Sequence, residues 1–201
     1  MHLLFSPNLQ NDDRMLENGT AGWEGTEVVI TEKMDGEGTT FYKSDLHARS
    51  MEFVAHPSRT FIKAIHAVVA HNIPDGLRVC GENMTAVHSI HYENLPSYFM
   101  VFNVWNGEAC LSWDETTEWC ALLDLDMVPL IYRGPYSDDL CKRLCAQLNP
   151  ETQEGLVVRP AASFSLADFP RVVGKWVRKS HVQTDQHWMQ KEVEFNGLKE
   201  K

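Results

Sequence analysis

Apolar positions alternate in some stretches of the chain and recur every three or four residues in others, and these two periods mark out strands and helices. Residues 26–31 (TEVVIT) and 39–43 (TTFYK) are β-branched or aromatic and flank Asp35-Gly36-Glu37-Gly38. That pattern predicts strand, turn, strand, with Lys33 at the entrance of the turn. In SRTFIKAIHAVVAHN, 58–72, Phe61, Ile65, Val68 and Val69 fall at helical spacing. LRVCGEN (77–83) and YFMVFNVW (98–105) read as buried strands. Ser112 and Glu115 make a capping box for a helix running to about Leu123. Leu140, Leu144 and Leu148 mark a second amphipathic helix, stopped by Asn149-Pro150. EGLVVRP (154–160) and RVVGKWVRK (171–179) predict two further strands. TDQHWMQKEVEF (184–195) predicts a closing helix whose Trp188 and Met189 pack on the sheet. Strands and helices intermix without strict βαβ alternation, so the expected class is α+β with a core of antiparallel sheet.

A chain of 201 residues without repeats, low-complexity tracts or linkers is expected to form one domain, 1–201. No apolar run approaches the roughly 20 residues needed to span a bilayer. The N-terminus, MHLLFSPNLQNDD, has neither a basic n-region nor a cleavage site. The five cysteines (Cys80, Cys110, Cys120, Cys141, Cys145) form no metal-like CxxC pair and predict reduced thiols in a cytoplasm. Cys141 and Cys145, four apart on an apparent helix, read as buried packing. The net charge of −10 argues against a general nucleic-acid coat and confines any polynucleotide contact to a local basic groove that weakens with salt. His47, His56, His88, His91, His181 and His187 match no zinc spacing, which favours structural or substrate-contacting roles.

Lys33 is the first chemical candidate. An amine attacks only when unprotonated, and a free lysine, with a pKa near ~10.4, is almost wholly charged at neutral pH. A metal ion or other positive charge beside it lowers that pKa, and the glycines at 36 and 38 let backbone approach a phosphate closely. Read alone, Lys33 is more readily a solvated lysine on a hairpin and Phe102 a core aromatic among Tyr98, Phe99, Val101 and Val104, and Lys175 could be a snorkelling edge residue. Glu82 and Glu154 alone are equally solvated strand ends.

As an ordered set these residues resemble the covalent nucleotidyltransferase superfamily of ATP-dependent RNA and DNA ligases and mRNA capping enzymes. Lys33-Met34-Asp35-Gly36 resembles the nucleophile motif, Gly81-Glu82 the glutamate that holds the ribose, and Phe102 the aromatic that stacks on adenine. Glu154-Gly155-Leu156-Val157-Val158-Arg159 resembles the motif whose glutamate serves the metal, and Lys175 the lysine that contacts the α-phosphate. The resemblance implies an antiparallel-sheet, ATP-grasp-like ligase adenylation domain. It also implies ATP as substrate, magnesium or manganese as the metal, and a lysine–AMP intermediate. Charge gathering on phosphorus would be met by Lys175 and the metal, and a carboxylate such as Glu154 suits magnesium.

Position 38, where DNA ligases and capping enzymes usually carry arginine, is glycine, and Arg49 in HARS resembles the ribose- or phosphate-contacting arginine of RNA ligases. Only 26 residues follow Lys175, too few for an appended OB-fold barrel. The chain is thus most similar to the RNA ligase 2-like group, in which the glutamate before the nucleophile, here Glu32, helps read adenine. One departure is Val177, which stands where that group has a second lysine. In a regular strand Lys175 and Val177 share a face and Arg178 points away, whereas a bulge would turn Arg178 in as a phosphate contact. The implied function is an ATP-dependent RNA ligase acting in RNA repair on 5′-phosphate and 3′-hydroxyl ends, with no membrane association. A minimal DNA ligase and a non-catalytic nucleotide- or RNA-binding module remain as alternatives, and any end-processing partner is left open.

Overall fold

The computed structural model describes residues 14–48, 57–178 and 193–200. Two antiparallel sheets organise them. One contains β1 (Glu27–Lys33), β7 (Leu130–Pro135), β8 (Gly155–Pro160) and β10 (Gly174–Val177), in the order β10-β8-β1-β7. The other contains β2 (Glu37–Phe41), β3 (Leu46–Ala48), β4 (Leu77–Asn83), β5 (Phe99–Asn106), β6 (Ala109–Cys110) and β9 (Phe164–Ser165), in the order β3-β2-β4-β5-β6-β9. Four helices join them: α1 (Arg59–Val69), α2 (Trp113–Leu123), α3 (Asp138–Gln147) and the single turn α4 (Phe169–Val172). The expected α+β, antiparallel-sheet class is the one observed. Among the described residues no helix is long and apolar enough to cross a membrane.

Side-chain alternation along the strands divides the core into layers. On β1, Val28 and Ile30 pack with Tyr136, Cys141 and Cys145 of the α3 layer, while Val29 on the opposite face joins Met34, Met100, Trp113 and Val128 between the sheets. On β4 and β5, Val79, Phe99, Val101 and Val104 pack with Ile62 and Val69 of α1 and with Cys120 and Leu123 of α2. The helices thus cover the outer faces, and the inner faces meet around a cavity. The capping box at α2 forms as predicted, with Ser112 Oγ accepting from the Glu115 N–H at 3.2 Å and the Ser112 N–H donating to Glu115 Oε2 at 2.9 Å.

Several expectations need correction. The strand–turn–strand at 26–43 is not a hairpin, because β1 lies in the four-stranded sheet and β2 in the six-stranded one. Helix α1 buries Ile62 and Val69, whereas Phe61 and Val68, expected on its apolar face, are 46% and 70% exposed. Among the described residues of RVVGKWVRK only 174–177 are strand, and Phe169–Val172 is a helical turn. Strands β3, β6, β7 and β9 were not anticipated; three are two or three residues long, and every residue of β7 keeps some exposure at the edge of its sheet. The closing helix falls largely on residues outside those described, and its last predicted residue, Phe195, instead makes an antiparallel bridge with Ala86.

β8 and β10 pair so closely at Gly155 that a β-carbon there would run into the carbonyl oxygen of Trp176. Gly155→Ala should therefore lower the unfolding free energy by about 1–3 kcal/mol, the usual cost of overpacking. Urea denaturation measures it, and an unchanged midpoint would show that the strand pair yields.

Candidate functional site

A cavity of about 500 Å³ lies between the sheets, and Glu32, Lys33, Glu82, Phe102 and Lys175 all line it. Its size suits a small-molecule ligand. β1 ends on Lys33, and the pairing of Lys33 with Gly155 sets Glu154, immediately before β8, beside the amine. On β4 the alternation turns Leu77 and Val79 toward the helices and Glu82 toward the cavity. Lys175 sits opposite Val157 in the β8–β10 pair, and both face the cavity.

Phe102 owes its aim to a β-bulge. Cys80 pairs with Asn103 and Gly81 with Val101, which leaves Phe102 as an extra residue on β5. Phe102 and Asn103, neighbours in sequence, consequently both face the cavity. The bulge is held from below by Arg159, which donates to Asn103 Oδ1, to the Leu111 carbonyl at 2.6 Å and to the Pro160 carbonyl at 3.1 Å. Burial lowers the pKa of this guanidinium, and the rings of Phe164 and Trp113 flank it at 5.2 and 5.8 Å.

The turn that carries Lys33 is tied down by Asp35. Its Oδ2 accepts from the Ser89 N–H and hydroxyl, both at 2.7 Å, and from the Ile90 N–H at 3.0 Å, while its own N–H donates to the Tyr92 hydroxyl at 3.2 Å. Gly36 lets this turn lie against β4, since a β-carbon there would strike the Asn83 carbonyl and come within 2.9 Å of Glu82. Glu32 accepts from Gln153 Nε2 at 3.0 Å, and Gln153 is itself oriented by the Asn149 N–H, which donates to its Oε1 at 3.0 Å.

The electrostatics run opposite to the simple activation picture. Lys33 Nζ lies 2.5 Å from Glu154 Oε2. Burial pulls the lysine pKa down, but the charges of Glu154, Glu82 and Asp35, with the hydrogen bond to Glu154, together raise it above its ordinary value. In this state Lys33 is an ammonium ion. Burial pushes Glu82 up to about 7, opposed by Lys33 and reinforced by Glu154, so this carboxyl is poised between its two forms at neutral pH. Burial also raises the pKa of Glu32.

No group of three or more His, Cys, Asp or Glu among the described residues could hold a metal ion. Glu154, a buried carboxylate beside the amine, is an oxygen donor of the kind that a divalent ion bound mainly through phosphate and water accepts.

Arg49 lies outside the described residues. Val177 is buried at the end of β10. Arg178 is also buried and does not line the cavity; its Nη2 donates to Ser89 Oγ at 3.3 Å, and its Nε has no hydrogen-bond partner among the described residues. Its side chain is thus turned into the protein beside the loop that holds Asp35. Sequence reading did not single out Gln153, Asn103, Ser89 or Tyr92, and gave Arg159 no role. The adjacency of Gln153 to Glu154 was the only signal, because the others act through contacts between distant segments. A second groove of about 440 Å³ leaves the cavity past Phe102 and Asn103 toward His47 and Arg78, whose guanidinium lies 5.0 Å from the Trp105 ring centre.

Two antiparallel sheets enclosing a cavity with a strand-end lysine define a ligase-type nucleotidyltransferase fold. The family model for RNA ligase matches residues 26–177, and the chain belongs to that family. An RNA ligase of Naegleria gruberi solved with PPi is 16% identical at a TM-score of 0.58, over 90% of this chain and 60% of that one. A mutant of the same ligase with ATP and Mn is 14% identical at 0.59, over 90% and 60%. A protein from Aquifex aeolicus assigned as an ATP-dependent DNA ligase is 21% identical at 0.56, over 85% and 49%. This chain therefore spans about half to three-fifths of the length of those structures. No curated protein matches the sequence.

The charge balance at Lys33 can be tested without nucleotide. An amine reagent modifies lysine only in its neutral form, and Glu154 is the chief anion holding Lys33 protonated. Glu154→Gln should therefore shift the onset of Lys33 labelling to lower pH, and label it faster at any fixed pH below the wild-type onset. Mass spectrometry of the modified peptide reads this, and an onset shifted to higher pH would contradict the assignment.

Proposed function

We propose that this chain joins RNA ends at the expense of ATP through a lysyl-AMP intermediate on Lys33. The observation that carries this reading is the convergence, in one cavity, of a strand-end lysine, an aromatic turned in by a bulge, and a second lysine two strands away in the nucleophile's own sheet. The RNA ligase family match and the likeness to ligase structures support it. Lys33 Nζ, once neutral, attacks the α-phosphorus of ATP; the nitrogen–phosphorus bond forms and pyrophosphate leaves. AMP then passes to the 5′-phosphate of RNA, which frees the lysine, and the 3′-hydroxyl displaces AMP to close the strand.

Phe102 gives adenine a flat apolar face, Glu32 held by Gln153 reads its edge, and Glu82 binds ribose hydroxyls. Lys175 faces the α-phosphate, where negative charge develops. Glu154 holds the divalent ion, magnesium or manganese, which supplies charge neutralisation on the phosphates. The second groove, lined by Arg78 and His47, offers the RNA the Arg78 guanidinium beside the nucleotide. Likeness to the Aquifex aeolicus protein favours, as a second reading, sealing of DNA nicks; parallel assays with RNA, DNA and hybrid duplexes separate the two.

Incubation with labelled ATP and magnesium should give a covalent protein–AMP adduct on Lys33, and Lys33→Ala should abolish it. An adduct of undiminished yield in that variant, or one mapped to a different lysine, removes the nucleophile assignment. Phe102→Ala should weaken ATP binding by about 1–3 kcal/mol, the range for a lost stacking partner, and Phe102→Leu should restore part of it. Unchanged affinity in a folded Phe102→Ala protein, measured by calorimetry, would make Phe102 a core residue only.

A further inference from the structure

Residues 193–200 are hydrogen-bonded to the loop between β4 and β5, and the Phe195 ring also meets Phe61 of α1 edge-on at 6.1 Å. The Val87 N–H donates to the Glu194 carbonyl at 2.8 Å, Leu95 N–H to Gly197 at 3.0 Å, Gly197 N–H to Tyr92 at 2.7 Å and Lys199 N–H to Leu95 at 2.9 Å. Asn196 lies at the centre of this seam and is 2% exposed. Its Oδ1 accepts from the Tyr92 N–H at 2.8 Å, and its Nδ2 donates to the carbonyls of Met84 at 2.8 Å and Ala86 at 3.1 Å. Its backbone N–H donates to the Thr85 carbonyl at 3.1 Å, and its own carbonyl accepts from the Tyr98 hydroxyl at 2.9 Å. Both ends of the side-chain amide are spent on holding one loop in one shape.

That same loop carries the groups that grip the nucleophile turn. Ser89 and Ile90 hold the Asp35 carboxylate, and the Tyr92 hydroxyl takes the Asp35 N–H. Tyr92 belongs to both sets, with its backbone N–H on Asn196 and its phenol on Asp35. The Arg178 guanidinium reaches the Ser89 hydroxyl from the end of β10. A strap at the C-terminal end of the chain is in this way two hydrogen bonds from the residue after next to Lys33.

We infer that Asn196 is a positioning residue for the adenylylation step, fixing the 84–98 loop so that Asp35 holds Lys33 on line with the cavity. The inference rests on the reading of Lys33 as the nucleophile. Small misplacement of a reacting group by a distant change can cost as much as about a hundredfold in rate. None of residues 193–200 lines the cavity, so nucleotide affinity and the last chemical step, in which the lysine is no longer a nucleophile, should depend on it far less than adenylylation does.

Asn196→Ala and the milder Tyr98→Phe, which removes a single hydroxyl from the seam, test this in the full chain. Enzyme–AMP formation at saturating ATP should fall roughly ten- to a hundredfold in Asn196→Ala, and less but in the same direction in Tyr98→Phe. The ATP concentration for half-maximal rate and the sealing of pre-adenylylated RNA, per folded protein, should stay close to wild type. Equal losses in adenylylation and in sealing of pre-adenylylated RNA, or no loss in either, would overturn the inference. If Asn196→Ala does not fold, Tyr98→Phe decides on the same two rates. Wild-type protein that forms no lysyl-AMP overturns the function reading and this inference together, whereas wild type that forms it and variants that match its rate overturn the inference alone.

Discussion

The chain leaves the four-stranded sheet at Lys33 and enters the six-stranded sheet at Glu37, with only Met34, Asp35 and Gly36 between. Four Cα–Cα steps reach at most roughly 14 Å, so the two sheets must approach closely at this end. Much else follows from that constraint. The approach sets Lys33 and Glu82, which belong to different sheets, within electrostatic reach of one another. It demands glycine at 36, where the turn touches the Asn83 carbonyl. It also buries Asp35, whose carboxylate then needs the Ser89 and Ile90 donors that it finds. The cavity opens beside the crossing, between inner faces that meet again at the Arg159–Asn103 contact.

The same constraint separates what could be read along the chain from what could not. The strand-forming runs around β4, β5 and β8, the α2 cap and the order of the motif residues all depend on local chemistry, and each was legible. Sheet membership was not, because a strand–turn–strand pattern looks the same whether the second strand folds back or crosses to another sheet. The inward face of Phe102 was legible only through resemblance; its physical cause, an unpaired residue opposite Cys80 and Gly81, is a property of two strands and not of one. Arg178 shows the reverse case. Strand alternation gave it a face opposite Lys175, and the structure ends β10 at Val177 and buries Arg178 beside Ser89, a residue that no pattern near position 178 could have named. Short edge strands such as β6 and β9 carry too few residues for a period to show.

Burial and charge divide the labour at the site. The groups proposed to bind the base and ribose sit on strands, where pairing and the Arg159–Asn103 contact leave little freedom. The nucleophile sits where a strand becomes a turn, and its orientation depends on contacts to a loop. Such a turn can change its partner without disturbing the sheets. That matters because the Lys33–Glu154 pair, as found, opposes the proposed chemistry: the carboxylate keeps the amine charged, and a charged amine cannot attack phosphorus. A divalent ion carried in on the nucleotide would compete for the same carboxylate oxygen. Drawing Glu154 away would remove the largest influence that raises the lysine pKa and leave burial, which lowers it, opposed by Glu82 and Asp35 alone. On the proposed function, freeing the amine therefore means loosening the Lys33–Glu154 contact, the strongest of the influences that hold it charged.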